Sequence, residues 1–445
     1  MTRLADLQSC FEGVIPSIVA TAAADGTPNI SYLSQVVRVD DDHIALSNQF
    51  FSKTATNVRE NPRAAVLIVD AHTGDQYRLD VTYIETRNSG PIFENVKTHI
   101  EATGAQTGMA GIFRLCGIDI YRVHEIVHIS SAAPTKETAE RRTLRLTDAA
   151  RVVELIAART DIDAIVEAAL DGLREHFGYE NMLLLAQDAT RQVLTTIGSR
   201  GYERTGIGSE VPLGDGVASR AATEARLIRV SDLSRVKRFA AAVSASATDE
   251  NHTRAIAVPG MPDAMSQIAV PLMAHGRVQG VLFAESRERL AFTSEDEAAL
   301  QIVARQIATS WILAEHLAGD PQEAPRTQDR KEPAGRTSGR TFRVTHHAID
   351  DSVFINDEYV IKGVPGRLLL FFLETSLRDG RRDFTNRELR MSSTLRLPEI
   401  KDNLETRLLL LRRRLEEKDA PLRLVPSGRG RITVELQGDP VLNRA

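Results

Sequence analysis

Two stretches of this sequence carry side chains whose types and spacing bear on chemistry. Ser47-Asn48 is followed, five residues on, by Ser52-Lys53-Thr54. Hydroxyls, an ammonium and the unpaired N–H groups of a helix N-terminus together make a site for an anion, and phosphate is the natural guest. The same residues also read as an ordinary helix start, with Ser52 as its cap and Lys53 as a solvated charge. Near the other end, Lys401, Thr406, Arg407, Arg413 and Arg414 are set among leucines, and Arg429 and Arg431 alternate with Gly428 and Gly430. From Lys362 to Leu436 there are 17 basic and 11 acidic side chains, in a chain of formal net charge -5. Such a local excess is the footprint of a module that grips a polyanion such as duplex DNA. A solvated basic face is the plainer reading.

Other chemistry finds little support. No catalytic dyad or proton relay is visible, so no catalytic residue is assigned. Two cysteines, Cys10 and Cys116, argue against a disulfide framework and against cysteine-rich zinc or iron–sulfur sites. His176, His252 and His275 are each able in principle to ligate haem iron, but they read as solvated histidines, and no metal site is expected. The first twenty residues lack a basic start followed by a long apolar run, and the densest apolar run, Leu368–Leu373, is far short of a membrane span. A cytoplasmic protein with no membrane partner is the expectation.

The elements that must position these groups fall into three blocks. A chain of 445 residues exceeds one core, and composition changes twice. Residues 130–145 turn polar and alanine-rich, while 319–339 are rich in Pro, Gly and charge, as in a flexible linker. The expected domains are 1–133, 140–318 and 340–438. The first reads as short strands around helices at Ser52–Glu60 and Ile92–Glu101, a small closed β barrel. The second opens with helices at Asp148–Ala158 and Ile162–Phe177, continues with strands, and closes with a helix from Ser294 to Leu317. It is an α+β unit. The third begins with strands and continues with helices at Gly366–Arg378, Thr385–Arg390 and Pro398–Lys418, then a hairpin turning through Ser427–Gly430. Three helices followed by a glycine-containing hairpin is the winged-helix order.

The segment from Pro28 through Asn61-Pro62-Arg63 resembles the pyridoxamine 5'-phosphate oxidase family, across roughly residues 10–130. The resemblance implies an FMN-binding split barrel and a homodimer with FMN at the subunit interface. It implies a phosphate clamp of Ser47, Asn48, Ser52 and Lys53, with Ser34, Gln35 and Val36 along the isoalloxazine and Arg78 at the flavin's polar edge. The family's closing Arg-x-His cluster is missing after Tyr121-Arg122-Val123, which argues against vitamin oxidation.

Val211–Val217, Ser266–Leu272, Gly280-Val281-Leu282 and Ala291-Phe292-Thr293 together resemble a GAF domain. That likeness implies an unidentified small-molecule effector. With no cysteine in the block, a thioether-linked bilin is excluded. Leu300, Val303, Ile307, Trp311 and Ala314 form one stripe of the closing helix, as core or as a dimer seam.

Phe384–Leu389, the spine Leu404, Leu408, Leu411 and Leu415, and the Gly428-x-Gly430 wing resemble the effector domain of response regulators. DNA contacts are then expected from Lys401, Thr406, Arg407, Arg413, Arg414, Arg429 and Arg431. Leu409 and Leu410 depart from the pattern as two exposed leucines, which favour burial against a partner. A protein-interaction winged helix is the competing reading. The whole is read as a multidomain chain, split barrel, GAF domain and winged helix-turn-helix, acting as a one-component sensor-regulator of transcription. An FMN-dependent oxidoreductase with regulatory appendages is the alternative.

Overall fold

The computed structural model describes residues 2–13, 15–33, 35–48, 53–71, 73–106, 115–130, 145–214, 216–233, 256–319, 341–397 and 403–444. Three units follow one another, each with its own sheet.

The first unit is a seven-stranded antiparallel sheet. Its strands are β1 (Ser17–Ala22), β2 (Pro28–Leu33), β3 (Val36–Arg38), β4 (His43–Asn48), β5 (Arg63–Val69), β6 (Gln76–Arg87) and β7 (Gly117–Ser130), in the order β2-β1-β5-β6-β7-β4-β3. Alternation along β1 and β5 turns Val19, Val66 and Ile68 inward to meet Leu33, Ile44, Leu46, Leu79 and Tyr121. Helix α1 (Lys53–Glu60) stops at Asn61-Pro62, and α2 (Pro91–Gln106) precedes β7.

The second unit has a six-stranded sheet. Its strands are β8 (Asn181–Asp188), β9 (Val193–Arg200), β10 (Glu210–Pro212), β11 (Ile228–Val230), β12 (Ser266–Ala274) and β13 (Arg277–Ser286), in the order β10-β9-β8-β13-β12-β11. Helices α3 (Arg145–Ala157), α4 (Ile162–Phe177) and the 26-residue α6 (Ser294–Gly319) cover one face, and α5 (Gly216–Glu224) the other. Caps set the ends. Asp161 accepts the Ala164 N–H at 2.9 Å to start α4, and Gly178 ends it at φ 72°. Thr293, paired with Asp296, starts α6. The expected stripe Leu300, Val303, Ile307, Trp311 and Ala314 is core. Pro271 lies on β12, which is an interior strand. Its missing N–H is tolerated because the pairing with β11 ends at Ala269.

The third unit joins β14 (Thr341–His347), β15 (Ser352–Ile355) and β16 (Glu358–Ile361) into a meander. Then come α7 (Val364–Asp379), β17 (Asp383–Thr385), α8 (Asn386–Met391), α9 (Leu404–Glu417) and the hairpin β18 (Leu422–Pro426) and β19 (Arg431–Leu436). A final strand, β20 (Asp439–Arg444), runs parallel to β14, so this unit extends past the expected boundary at 438. Gly428 and Gly430 turn the hairpin at φ 127° and 62°. Leu404, Leu408, Leu411 and Leu415 form the expected buried spine against Leu369, Phe372 and Leu373.

The units touch. Arg229 of β11 lies between Glu12 of the first unit, at 3.2 Å, and Glu297 near the start of α6, at 2.5 Å. Among the described residues no helix is long and apolar enough to cross a membrane.

Candidate functional site

The first candidate is the corner between β4 and α1. Ser47 and Asn48 end β4, and Lys53 opens α1; Ser34 and Ser52 lie outside the described residues. The Ser47 hydroxyl accepts the Gln35 N–H at 3.1 Å, which ties the loop before β3 to the end of β4. The Asn48 amide donates to Asp119 at 3.3 Å, and Thr86 donates to the other oxygen of that carboxylate at 2.6 Å. Burial pushes the Asp119 carboxyl above its ordinary range. Lys53 is exposed and has no ion-pair partner among the described residues, although its charge reaches Asp25 in the β1–β2 turn.

What fixes α1 was not read from the sequence. Thr54 is buried, with its hydroxyl against Ser31 (2.9 Å) and the Asn29 amide (3.0 Å), while Asn57 donates to Thr21 at 3.1 Å. These polar residues nail the first turn of α1 to β1 and β2, so the position of the helix tip is set by hydrogen bonds rather than apolar packing. Single polar residues in alternating strands carry no signal of such a network.

Two expected flavin contacts, Val36 and Arg78, have their side chains engaged elsewhere. The Val36 side chain is packed in the barrel core, leaving only its main chain to line a ligand. Arg78 pairs with Asp80 at 2.9 Å on the outer face of β6. It stands beside Val127 of β7, whereas Ser47 stands beside Ile118, nine residues down that strand and so roughly 30 Å away along it. The structure does not bring Arg78 to the corner.

The second candidate is α9. Of the residues expected to face DNA, Lys401 lies outside the described residues, and Arg429 and Arg431 are exposed on the wing without an ion-pair partner among the described residues. The others lie elsewhere. Thr406 is 7% exposed and accepts the Trp311 indole N–H at 3.2 Å, while donating to Glu315 at 3.1 Å. Arg413 reaches Asp163 and Glu167 of α4 and the Ile197 carbonyl of β9. Arg407 sits 3.9 Å from Asp188. Arg414 is 1% exposed and donates to the Val360 carbonyl at 2.9 Å and to Glu417 at 2.6 Å, an anchor within its own unit. Leu409 and Leu410 are not exposed either. Leu409 joins the core of the second unit, and Leu410 that of the third. The reason is one of surfaces: α9 is covered on two sides, by its own unit and by the neighbouring sheet-and-helix unit.

An open groove of about 600 Å³ runs between the α4 N-terminus and the wing, bordered by Ile162, Leu408, Arg412 and Ile432. A smaller cavity of about 80 Å³ lies on the other side of α9, against Arg191, Glu210 and Lys362. The helix-side core beneath the second unit's sheet is filled, with no room left between Leu173, Met182 and Leu300. No group of three His, Cys, Asp or Glu side chains is arranged to hold a metal among the described residues.

Residues 5–125 match the sequence model of the pyridoxamine 5'-phosphate oxidase family, and residues 161–311 match that of the GAF domain. Curated proteins give no match. Among solved structures, the first unit is similar to an FMN-binding protein from Syntrophomonas wolfei subsp. wolfei, at 19% identity over 28% of this chain and 86% of that one, with a TM-score of 0.25. It is also similar to HupZ of Group A Streptococcus, at 24% identity over 30% of this chain and 100% of that one, TM-score 0.24. The second unit is similar to the GAF domain of an Acinetobacter phosphoenolpyruvate-protein phosphotransferase, at 16% identity over 41% of this chain and 99% of that one, TM-score 0.32. A pyridoxamine 5'-phosphate oxidase-like barrel and a GAF domain thus follow one another in this chain, ahead of the basic unit that carries α9.

Proposed function

We propose that the protein is a one-component regulator, in which the barrel and the GAF domain sense small molecules and a C-terminal winged helix grips DNA. The observation that carries this reading is the seat of α9. One of its leucines, Leu409, belongs to the GAF core, so a change of state in the GAF domain is felt directly by the basic helix. The third unit's order of three helices and a glycine-turned hairpin supports the winged-helix reading, as do the wing arginines, which have no ion-pair partner among the described residues.

FMN is the ligand we assign to the barrel. The donor set fits its phosphate: an exposed Lys53 at the first turn of α1, without an ion-pair partner among the described residues, and a Ser47 hydroxyl that keeps a proton to give after its oxygen has accepted from Gln35. Asn48 borders the same corner. When bound, the flavin supplies electron-transfer chemistry of its own. Lys53 and Ser47 would hold the phosphate, and the main chain at Gln35 and Val36 would be left to border the ring.

The visible spectrum of freshly purified protein, followed by FMN titration, tests this half of the reading. Isoalloxazine absorption is expected, and Lys53→Ala should weaken FMN binding roughly tenfold or more through loss of a charge-assisted contact. Protein that stays colourless and takes up no FMN overturns it. Steady NAD(P)H turnover would instead favour an oxidoreductase.

A further inference from the structure

Three of the four arginines of α9, Arg407, Arg412 and Arg413, meet carboxylates or a carbonyl of the GAF domain, while Arg414 is held within its own unit. Arg413 donates to Asp163 from Nε at 2.9 Å and from Nη2 at 2.5 Å, to Glu167 at 2.5 Å, and to the Ile197 carbonyl at 2.7 Å. Arg412 pairs with the second oxygen of Asp163. Asp163 and Glu167 stand four residues apart on α4 and therefore share one helix face. Two anionic groups at that spacing offer a guanidinium fork much what a row of phosphates offers it.

We infer that the acidic face of α4 is a docking surface that stands in for DNA phosphates, holding the basic helix away from DNA until the GAF domain changes state. This rests on the reading of the third unit as a DNA binder. Two observations beyond charge carry it. The contact is a seated interface, with Leu409 4% exposed within the GAF core and Thr406 hydrogen-bonded to Trp311. The same side of α9 cannot lie in a groove of DNA and on the GAF domain together, so the two partners exclude each other. The seat also senses the sheet, because Arg413 holds a carbonyl of β9 and α4 packs on that strand through Gly198.

Sequestration of this kind is a coupling between two equilibria, and couplings typically span about 5- to 150-fold in affinity. The clasp is built of partly exposed ion pairs, whose strength permits opening. It therefore regulates binding without abolishing it.

Trp311 is the only tryptophan of the chain and lies in the seat, so it reports docking by itself. The experiment uses the full-length chain as wild type, Asp163→Asn/Glu167→Gln, Arg413→Lys, and Asp171→Asn. Asp171 lies on the same helix and makes no contact with α9; it pairs with Arg200, which also holds Glu167, and so serves as control for loss of an α4 carboxylate that α9 does not touch. Tryptophan emission and acrylamide quenching are measured, then affinity for duplex DNA at low salt. In the double variant we expect red-shifted emission, easier quenching and duplex affinity raised roughly tenfold or more. Arg413→Lys, which keeps the charge but loses the fork, should move emission the same way, and Asp171→Asn should match wild type. Adding duplex DNA to wild type should red-shift Trp311 as well. Unchanged emission and quenching in both clasp variants overturns the clasp. Exposed Trp311 with no duplex affinity in any variant instead overturns the DNA reading, and the phosphate-mimicking role with it.

Discussion

Asp119 is 1% exposed on β7, accepting hydrogen bonds from Thr86 and Asn48 just behind the corner assigned to FMN phosphate. Burial raises its folded-state value, so the folded protein holds that proton more tightly than the unfolded chain does. The sign follows from linkage. Its contribution to stability is fully present below the unfolded carboxylate value and is lost as pH rises through the raised folded value. Asp119→Asn should therefore remove part of the fall in stability as pH rises above the ordinary carboxylate range, seen as a flatter urea midpoint against pH than wild type. Identical pH profiles for the two proteins would show that the carboxyl is not strained by burial. Asp119 could not be picked out from the sequence, because its partners come from two other strands, β4 and β6. Arg413 and Arg414 teach the same lesson. They are adjacent in sequence, yet one reaches across to α4 and the other is locked under its own unit at Val360, since successive residues of a helix are about 100° apart around its axis.

At the scale of elements, the legible parts were those whose signals are local. The span Ile162–Phe177 was readable from its apolar period, and the structure ends it with an Asp161 cap and Gly178. The leucine spine of α9 was readable from spacing alone. What lay beyond reading was the second apolar side of that helix. A helix with apolar residues on more than one face must bury against two bodies, but nothing in the pattern says which the second will be. Parallel pairing of β20 with β14 joins strands nearly a hundred residues apart and is invisible for the same reason. Gly198 on β9 is where the packing of these elements can be tested. A Cβ there would fall 2.6 Å from Val166 Cγ1 and 2.9 Å from Leu170 Cδ1 of α4, and 3.5 Å from Arg413. Gly198→Ala should cost about 1–3 kcal/mol in denaturant unfolding, since a branched core side chain has little room to yield. A midpoint equal to wild type would mean that α4 can shift on the sheet at no cost.

Across the whole molecule, α6 links the parts. Its 26 residues span about 39 Å. Near its start, Glu297 is joined through Arg229 to Glu12 of the barrel unit; toward its end, Trp311 and Glu315 meet Thr406 of α9. A displacement at either end has a rigid path to the other, which is the physical content of the proposed link between flavin or effector state and the grip of α9. Nothing in single-sequence patterning reveals such a path, because each contact in it joins distant segments. The most direct test is the affinity of full-length protein for duplex DNA, measured across a salt series with FMN oxidised and again with it reduced. The account predicts that log affinity falls linearly with log salt, with a slope reflecting several phosphate contacts, and that the two redox states give separate lines. Absence of salt-dependent binding in both states would contradict it.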